Sequence, residues 1–365
     1  MNILYLANHL NIGGITSYIL TLSSAMKKRG HKVFVASSGG EALYKFHEEG
    51  VTFIPIPIKT KAEIGPKVLL SYLRLRKIVK EENIDIIHAN TRVTQVLACL
   101  LARSTRKAFV STCHGFFKQR FTRRLFPCWG KKVIAISAQV KEHLIKDFHV
   151  KEEFIEIIHN GIDINRFARA KTEDAANLKN KFGLGPGPVV GIIARLSDVK
   201  GHIYLIAATK LVLEKFPQAQ LLIIGEGKMQ QELLELTKSL EIEKNVFFIP
   251  RAPDTREALM CMDVFVMPSL KEGLGLALME AMAQGLPVIG SSVGGIKSLI
   301  RDRENGLLVR PQDASSLSQA LLELLGDPQK ARSLGEKAKV FISNNFSQEK
   351  MAGETEKLYS TCLNA

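Results

Sequence analysis

Two patterns of apolar and polar residues alternate along the first half of the chain, one typical of strands and one typical of helices. Short runs are apolar on both faces, as the strands of a buried parallel sheet are, and longer stretches with helical spacing separate them. The alternation predicts βαβ units around a parallel sheet. The predicted strands are Ile3–Ala7, Lys32–Ser37, Thr52–Pro55, Asp85–His88, Phe109–Thr112, Val133–Ile136 and Ile155–His159. Predicted helices include Gly14–Lys28, Gly65–Glu82 and Ala138–Phe148.

The alternation of strand and helix patterns stops near residue 168 and resumes near residue 188. The intervening residues are polar and end in a stretch rich in Gly and Pro, so we interpret 169–187 as a linker. A second series of strands follows, and the chain is expected to contain two doubly wound, Rossmann-like α/β domains, at 1–168 and 188–347. The strands predicted for the second domain are Val189–Ala194, Gln220–Gly225, Val246–Pro250, Val264–Pro268, Val288–Ser291 and Leu307–Arg310.

The composition fits two globular domains. The chain has 365 residues, of which 46% are hydrophobic and 24% are charged, and this is enough for two sizeable cores. No uncharged apolar run reaches the ~18 residues of a membrane span, and the apolar start lacks the basic residues and cleavage site of a signal peptide. The five cysteines are scattered without a CxxC pair, which is typical of reduced thiols in a cytoplasmic protein.

The excess of positive charge lies in the first half of the chain. Residues 1–190 contain 30 Lys and Arg against 15 Asp and Glu, a net charge of +15, whereas the remainder contains 20 against 21. This half is therefore expected to face an anionic partner, such as a membrane surface, a phosphorylated lipid or a nucleic acid.

The strongest chemical signal is a glycine-rich turn between two glutamates, Glu272 and Glu280, directly after a predicted strand. The glycines permit a tight turn with exposed backbone N–H groups, and a helix starting near Leu274 would direct its positive end at an anion. The spacing is about 2.2 helical turns, so both carboxylates can border one ligand. Carboxylates accept hydrogen bonds from vicinal sugar hydroxyls. An ordinary helix with solvated glutamates is the alternative.

A second signal is a pair of cations, Arg195 and Lys200, at the end of the first strand of the second domain. Ligands of open α/β sheets bind outside the carboxyl ends of the strands. Two cations there suit a diphosphate, whose charge grows when it acts as a leaving group. No D-x-D occurs in the chain, so no metal is expected. Two surface cations near a turn are the alternative.

Weaker signals follow other strands. Gly13 and Gly14 come after the first strand and would let backbone approach a phosphate or sugar, although a purely structural turn is equally open. His114 follows the fifth strand, where a histidine is often only a hydrogen-bonded structural residue. Arg251 directly follows the strand predicted at Val246–Pro250.

The segment from residue 116 to 132 interleaves basic and aromatic residues, and no acid occurs between Leu101 and Lys141. Such a segment can lie on an anionic leaflet, with each cation contributing ~1 kcal/mol near the surface. A pocket for an anionic acceptor and a solvated basic face are alternatives. Signatures of RNA- or DNA-binding motifs are missing, so no nucleic-acid partner is expected. The candidate acceptor or membrane residues are Lys118, Arg120, Arg123, Arg124 and Trp129.

The glutamate motif resembles the E-x7-E motif of the family 4 retaining glycosyltransferases (glycosyl transferases group 1), which have the GT-B fold. Arg195 and Lys200 are similar to the R-x4-K-G pair of that family, and the resemblance covers nearly the whole chain. It implies two Rossmann-like domains that face each other across a cleft, and a final helix, 348–365, that packs back on the first domain.

The resemblance also assigns roles. Glu272 would contact hydroxyls of the donor sugar, Glu280 the ribose and His114 the donor sugar near the reacting centre. The loop with Gly13 and Gly14 would lie between donor phosphate and acceptor. The implied backbone cradle for sugar and phosphate consists of Gly273, Leu274, Gly275 and Leu276. The candidate catalytic residues are His114, Arg195, Lys200 and Glu272. The candidate donor-binding residues are the four cradle residues together with Gly13, Gly14, Arg195, Lys200, Arg251, Glu272 and Glu280, and the backbone beside Arg251 would hold the nucleotide base.

The expected function is retaining transfer of a hexose-type sugar from a nucleotide diphosphate sugar, with UDP as the expected nucleotide, to a glycan or lipid-linked acceptor. Cell-envelope polysaccharide or lipopolysaccharide synthesis would be the setting, in the cytoplasm or peripherally on the inner face of the membrane. No cofactor is expected. A nucleotide-sugar 2-epimerase of the same fold and a non-enzymatic polyanion-binding protein are the alternatives.

Overall fold

The computed structural model describes residues 1–117, 123, 126–167, 175–250, 252 and 254–364. Contacts between residues divide the chain into two compact units. Unit 1 consists of Met1–Gly161 and Gln348–Ala365, and unit 2 consists of Ile162–Ser347. The chain therefore enters unit 2 once and returns to unit 1 for its last segment.

Unit 1 is built on a seven-stranded parallel sheet in the order β3-β2-β1-β4-β5-β6-β7. The strands are β1 Asn2–Leu6, β2 Lys32–Ser37, β3 Thr52–Pro55, β4 Ile86–Ala89, β5 Ala108–Cys113, β6 Lys132–Ala135 and β7 Ile155–Ile157. The helices are α1 Gly14–Lys28, α2 Leu43–Glu48, α3 Pro66–Glu81, α4 Arg92–Thr105 and α5 Ala138–Phe148, with a 3-10 turn at Glu152–Phe154.

Unit 2 is built on a six-stranded parallel sheet in the order β10-β9-β8-β11-β12-β13. The strands are β8 Val189–Ile193, β9 Gln220–Ile224, β10 Val246–Ile249, β11 Val264–Met267, β12 Val288–Ser291 and β13 Leu307–Val309. The helices are α6 Ile164–Phe167, α7 Ala175–Lys181, α8 His202–Leu213, α9 Gln230–Ser239, α10 Thr255–Met260, α11 Leu276–Ala283, α12 Ile296–Leu299, α13 Ala314–Gly326 and α14 Pro328–Asn345, with 3-10 turns at Asp198–Lys200 and Glu243–Asn245.

The central strands of both sheets are buried on their two faces, which explains why these strands are almost entirely apolar. In β1, Ile3 and Tyr5 belong to one core cluster, and Leu4 and Leu6 belong to another, as the period of two along a strand requires. The expected doubly wound α/β architecture is confirmed in both units, and every predicted strand is present within two residues of its predicted ends.

The last helix, α15 (Gln348–Asn364), packs against α1 and β5 of unit 1. One face of the helix is buried, with Met351, Thr355, Leu358 and Tyr359 among the buried residues. On its outer side, Glu356 accepts hydrogen bonds from the Arg29 side chain and contacts the His31 ring. The C-terminal helix is therefore an integral part of unit 1.

The stretch interpreted as a linker differs from that expectation where the structure describes it. Residues 175–181 form α7, and Leu178, Phe182 and Leu184 are buried. Gly185 N donates to the side chain of Gln220 at 2.6 Å. Three apolar anchors therefore attach this polar segment to unit 2, and the boundary between the units lies after Gly161 rather than at residue 168.

Candidate functional site

Each sheet has one position where neighbouring strands lead to opposite sides. In unit 1 this position lies between β1 and β4, and in unit 2 it lies between β8 and β11. The connections that follow these strands continue to opposite faces of the sheet, and ligands of doubly wound folds bind at this position, outside the carboxyl ends of the strands. Arg195 follows β8 and Glu272 follows β11. The two strongest motifs of the sequence therefore flank the same position in unit 2.

The loops after β8 and β11 contact each other and bring Lys200 to Glu272. The backbone N–H of Leu270 donates to the Val199 carbonyl at 2.8 Å. Lys200 Nζ donates to Glu272 Oε2 at 2.5 Å, and the two side chains are only 21% and 13% exposed. Lys200 and Glu272, which lie 72 residues apart in the sequence, are therefore in direct contact in unit 2.

The close approach of these loops depends on Gly201, which ends the 3-10 turn that carries Lys200. Its φ is +73°, and a Cβ there would lie 1.9 Å from the Pro268 carbonyl oxygen. A side chain would therefore push the two loops apart. Glycine is therefore needed directly after Lys200 because the two loops pack too closely for a side chain.

The carboxylate of Glu272 is oriented by its own surroundings as well. The Gly273 N–H donates to Oε1 at 3.1 Å, and the buried Ser269 hydroxyl lies 3.5 Å from Oε2. The Gly295 N–H donates to the Glu272 carbonyl at 3.1 Å, which fixes the backbone from the loop after β12. Sequence reasoning missed Gly295, although a Gly-Gly pair after a predicted strand was a signal for it.

Helix α11 begins at Leu276, and not near Leu274 as predicted. The reason is Gly275, whose φ of +102° lies in the left-handed region and is incompatible with a helical position. Leu274 and Leu276 therefore differ in role, the first in the turn and the second at the first helical position. Glu280 lies in the second turn of α11 and is partly exposed.

Arg195 is exposed and makes no hydrogen bond or ion pair with any described residue. Its side chain is therefore available to an anionic ligand. It shares one short loop with Lys200, so both cations lie at the carboxyl end of β8. Arg251, the candidate near the base, lies outside the described residues.

Two further polar groups, one in this loop and one at the start of α8, were missed from the sequence. Ser197 and His202 are buried, and within the described parts of the chain neither the Ser197 hydroxyl nor either ring nitrogen of His202 has a hydrogen-bond partner. Burial, together with the charge of Lys200, lowers the pKa of His202 to about 4. The imidazole is therefore neutral at neutral pH. Buried polar groups normally have partners, so these groups suit a bound ligand or ordered water.

In unit 1, the first loop leads directly into α1. Gly13 is the N-cap of this helix, both Gly13 and Gly14 are exposed, and no atom lies within 4 Å of a Cβ built at Gly13. The first N–H groups of a helix lack intrahelical partners and attract anions. The geometry leaves room for a ligand at this helix start.

His114 follows β5 and is held by Asn90, which follows β4. The Asn90 amide nitrogen lies 3.4 Å from both the Leu6 and His88 carbonyl oxygens, so its oxygen faces His114. His114 Nε2 lies 3.1 Å from that oxygen and therefore carries the proton, which leaves Nδ1 as an acceptor. Burial lowers the pKa of His114 to about 3, so the ring is neutral.

A buried polar network supports this histidine from behind. The Tyr18 ring meets the His114 ring edge to face, with centroids 4.6 Å apart, and its hydroxyl lies 3.1 Å from the Thr112 hydroxyl. His88 bridges the Thr112 hydroxyl at 2.6 Å and the Tyr359 hydroxyl of α15 at 2.5 Å. The polar His88 within an apolar strand was the only sequence signal for this network.

The basic aromatic segment is only partly described. Lys118, Arg120 and Arg124 lie outside the described residues. Arg123 is buried, with its guanidinium 4.0 Å from the centre of the Phe117 ring, and Trp129 stacks on the same ring. Arg123 therefore does not fit the expected contact with a membrane leaflet, because its side chain packs within an aromatic cluster.

Two features of the described residues bear on ligands and membranes. No group of three or more His, Cys, Asp or Glu side chains in those residues is arranged to hold a metal ion. None of the helices described is both long enough and apolar enough to cross a bilayer.

Known protein families match the sequences of both units. Residues 12–166 match the model of Glycosyltransferase Family 4, and residues 174–341 match that of Glycosyl transferases group 1. A Corynebacterium glutamicum GDP-mannose-dependent monoacylated alpha-(1-6)-phosphatidylinositol monomannoside mannosyltransferase is 34% identical over 93% of this chain and 92% of its own. An Escherichia coli UDP-Gal:alpha-D-GlcNAc-diphosphoundecaprenol alpha-1,3-galactosyltransferase is 29% identical over 80% and 79%. The crystal structure of Anabaena HepE with UDP-glucose has a TM-score of 0.88 at 23% identity, over 99% of this chain and 100% of its own.

Proposed function

The chain belongs to the family 4 glycosyltransferases, and from this membership we propose that it transfers a hexose from a nucleotide diphosphate sugar to a glycan or lipid-linked acceptor, with retention of anomeric configuration. The observation that carries the proposal is the contact between Lys200 and Glu272 in the loops after β8 and β11 of unit 2. A cation for phosphate and a carboxylate for sugar hydroxyls are held there side by side.

Unit 2 would bind the donor. Arg195 and Lys200 would bind the diphosphate, and the turn before α11 would direct its N–H groups at phosphate and sugar. Glu272 would accept hydrogen bonds from the sugar, and Glu280 from the ribose. Without a donor, Lys200 and Glu272 neutralise each other. On binding, each would exchange part of this contact for a contact with the ligand.

We propose that the reaction proceeds by attack of the acceptor on the same face that the diphosphate leaves. The sequence offers no clear nucleophile for the opposite face. The leaving diphosphate would take the acceptor proton, while Arg195 and Lys200 would stabilise its growing negative charge. A neutral His114 would hydrogen-bond the sugar without adding a positive charge beside a cationic transition state.

We propose UDP as the donor nucleotide, with GDP as the competing possibility. The relatives described above support both, since the galactosyltransferase is named for UDP-Gal and the mannosyltransferase for its dependence on GDP-mannose. The acceptors in these two names are lipid-linked, which supports a lipid-linked acceptor and a peripheral location on the inner face of the cytoplasmic membrane. No metal is required in this proposal, because Arg195 and Lys200 would neutralise the diphosphate charge that a metal ion otherwise neutralises.

The test is calorimetry with a panel of UDP-, GDP- and ADP-sugars, followed by transfer from the donor that binds to components of a membrane extract. The proposal expects binding of one nucleotide class and a product that forms only with acceptor. NMR of that product should show the donor's anomeric configuration. An inverted product would refute the retaining mechanism, and a changed free sugar nucleotide formed without acceptor would identify a 2-epimerase instead.

A further inference from the structure

Helix α3 exposes apolar side chains on the face opposite to its core contacts. Val68, Ser71, Leu75 and Val79 are buried against unit 1. At 3.6 residues per turn, positions 69, 70, 73, 77 and 80 project to the other side. Exposed large apolar residues on this side and in the preceding loop are Ile64 at 75%, Leu69 at 56%, Leu70 at 56% and Leu73 at 55%.

A solvated helix normally carries polar residues on its outer face. Four large apolar residues within ten positions therefore indicate a surface that is covered by a partner. We call Ile64, Leu69, Leu70 and Leu73 the α3 apolar cluster.

Basic residues surround the α3 apolar cluster. Residues 59–80 contain seven Lys and Arg and one acid, Glu63. The carboxylate of Glu63 is paired with Arg92 at 3.0 Å, and Lys77 has a 3.5 Å ion pair with Glu81 at the end of the helix. The exposed cations are Lys59, Lys61, Lys67, Arg74, Arg76, Lys77 and Lys80. A partner that covers this surface must therefore be apolar in its interior and anionic at its boundary.

The cluster lies at the edge of the sheet that carries the candidate site residues of unit 1. The loop before α3 follows β3, and Asn8, which follows β1, donates its amide to the Thr60 carbonyl at 3.0 Å. Arg92, at the start of α4, binds Glu63 and donates to the Phe126 carbonyl at 2.7 Å. Phe126 is itself 58% exposed. The carboxyl ends of the strands also carry Gly13 and His114.

We propose that the α3 apolar cluster enters the head-group region of an anionic lipid bilayer while the surrounding lysines and arginines bind lipid phosphates. Apolar side chains rimmed by cations are the surface chemistry of helices that lie in the plane of a membrane. The charge complementarity favours a lipid surface over an uncharged protein partner. The α3 apolar cluster consists of other residues than the basic aromatic segment, which adjoins it through Arg92 and Phe126 and whose Arg123 is buried. It deepens the proposed function, because it would bring unit 1 to a lipid-linked acceptor.

The test uses the full chain and vesicles of phosphatidylcholine with or without phosphatidylglycerol, followed by sedimentation. Wild-type protein should bind the anionic vesicles, and binding should weaken as salt is raised. Leu70→Ser/Leu73→Ser should lower the partition coefficient about tenfold. Arg74→Gln/Arg76→Gln should lower it about fivefold for each charge removed.

The matched control is Val340→Ser on α14 of unit 2, an aliphatic residue with 61% exposure, and its binding should equal that of the wild type. Unchanged binding of the leucine variant, or an equal loss in the control, would overturn the proposal. So would a wild-type oligomer that dissociates in the leucine variant, since the cluster would then be a protein interface. Vesicle binding needs no nucleotide sugar, so its failure is separate from a failure of transfer.

Discussion

Replacing Glu272 with glutamine removes one negative charge and leaves the shape of the side chain unchanged. In the wild-type protein the carboxylate accepts a hydrogen bond from the Lys200 ammonium at 2.5 Å, and both side chains are largely buried. Glutamine can still accept this hydrogen bond through its amide oxygen. The substitution therefore separates the charge of residue 272 from its position.

The magnitude follows from the hydrogen bonds that a carboxylate would make to the donor sugar. A hydrogen bond to a charged group contributes ~1.5–3 kcal/mol, against about 1 kcal/mol for a neutral pair. Two such bonds weakened in the transition state cost about 2–3 kcal/mol, which is a decrease of roughly 30- to 150-fold in kcat/KM. Folding should be affected much less, by at most about 1 kcal/mol, because Lys200 keeps an acceptor and partial access to water.

The assay measures kcat/KM for transfer, binding of the free nucleotide by calorimetry and the free energy of unfolding. Transfer should fall while nucleotide binding and stability stay near wild-type values. Glu323→Gln is the matched control, because Glu323 in α13 also pairs with a lysine, Lys330, at 2.6 Å. Near-wild-type transfer by Glu272→Gln, or an equal decrease in Glu323→Gln, would refute the role of the Glu272 charge.

Three other predictions address packing, pH and metals. Gly201→Ala should lower both the free energy of unfolding and donor binding, because a Cβ would lie 1.9 Å from the Pro268 carbonyl oxygen. The control is Gly183→Ala, at a similar φ of +70° but with open space around the Cβ, which should lower the free energy of denaturant unfolding by only about 1 kcal/mol. Burial lowers the pKa of His88 and of His114 from 6.5 to about 3. The unfolded state therefore binds more protons than the folded state below pH 6.5. The free energy of unfolding should decrease as the pH is lowered from 6.5 to 4, by about 1.4 kcal/mol per pH unit for each histidine, and a constant free energy over this range would contradict these shifts. Transfer should persist after dialysis against EDTA, and a loss that Mg²⁺ restores would contradict the metal-free proposal.

The strands could be predicted from the sequence because their physical signal is local. A parallel strand covered on both faces must be apolar along its whole length, so β8 and β11 stand out as short hydrophobic runs. Once these runs are ordered as βαβ units, Arg195 and Glu272 follow at strand ends. The candidate site of unit 2 therefore emerged from local pattern and topology together.

Other features depend on contacts between distant residues and could not be predicted. The pairing of His88 with Tyr359 joins positions 271 residues apart, and no pattern in either segment specifies the other. The left-handed conformation of Gly275 decides where α11 begins, yet a glycine in the sequence only permits that conformation. In α7, the polar composition concealed the buried Leu178, because one apolar residue per turn is a weak signal.

The insertion of unit 2 between two parts of unit 1 has a consequence for biosynthesis. A nascent chain that ends at residue 345 has all strands of the first sheet but lacks α15, so α1 is still without the helix that packs on it and His88 is still without its hydrogen bond to Tyr359. Residues 162–347, in contrast, form a continuous segment that the ribosome delivers in one piece. The second unit can therefore mature first, and unit 1 is completed only when its later segment, which follows unit 2 in the chain, has been synthesised.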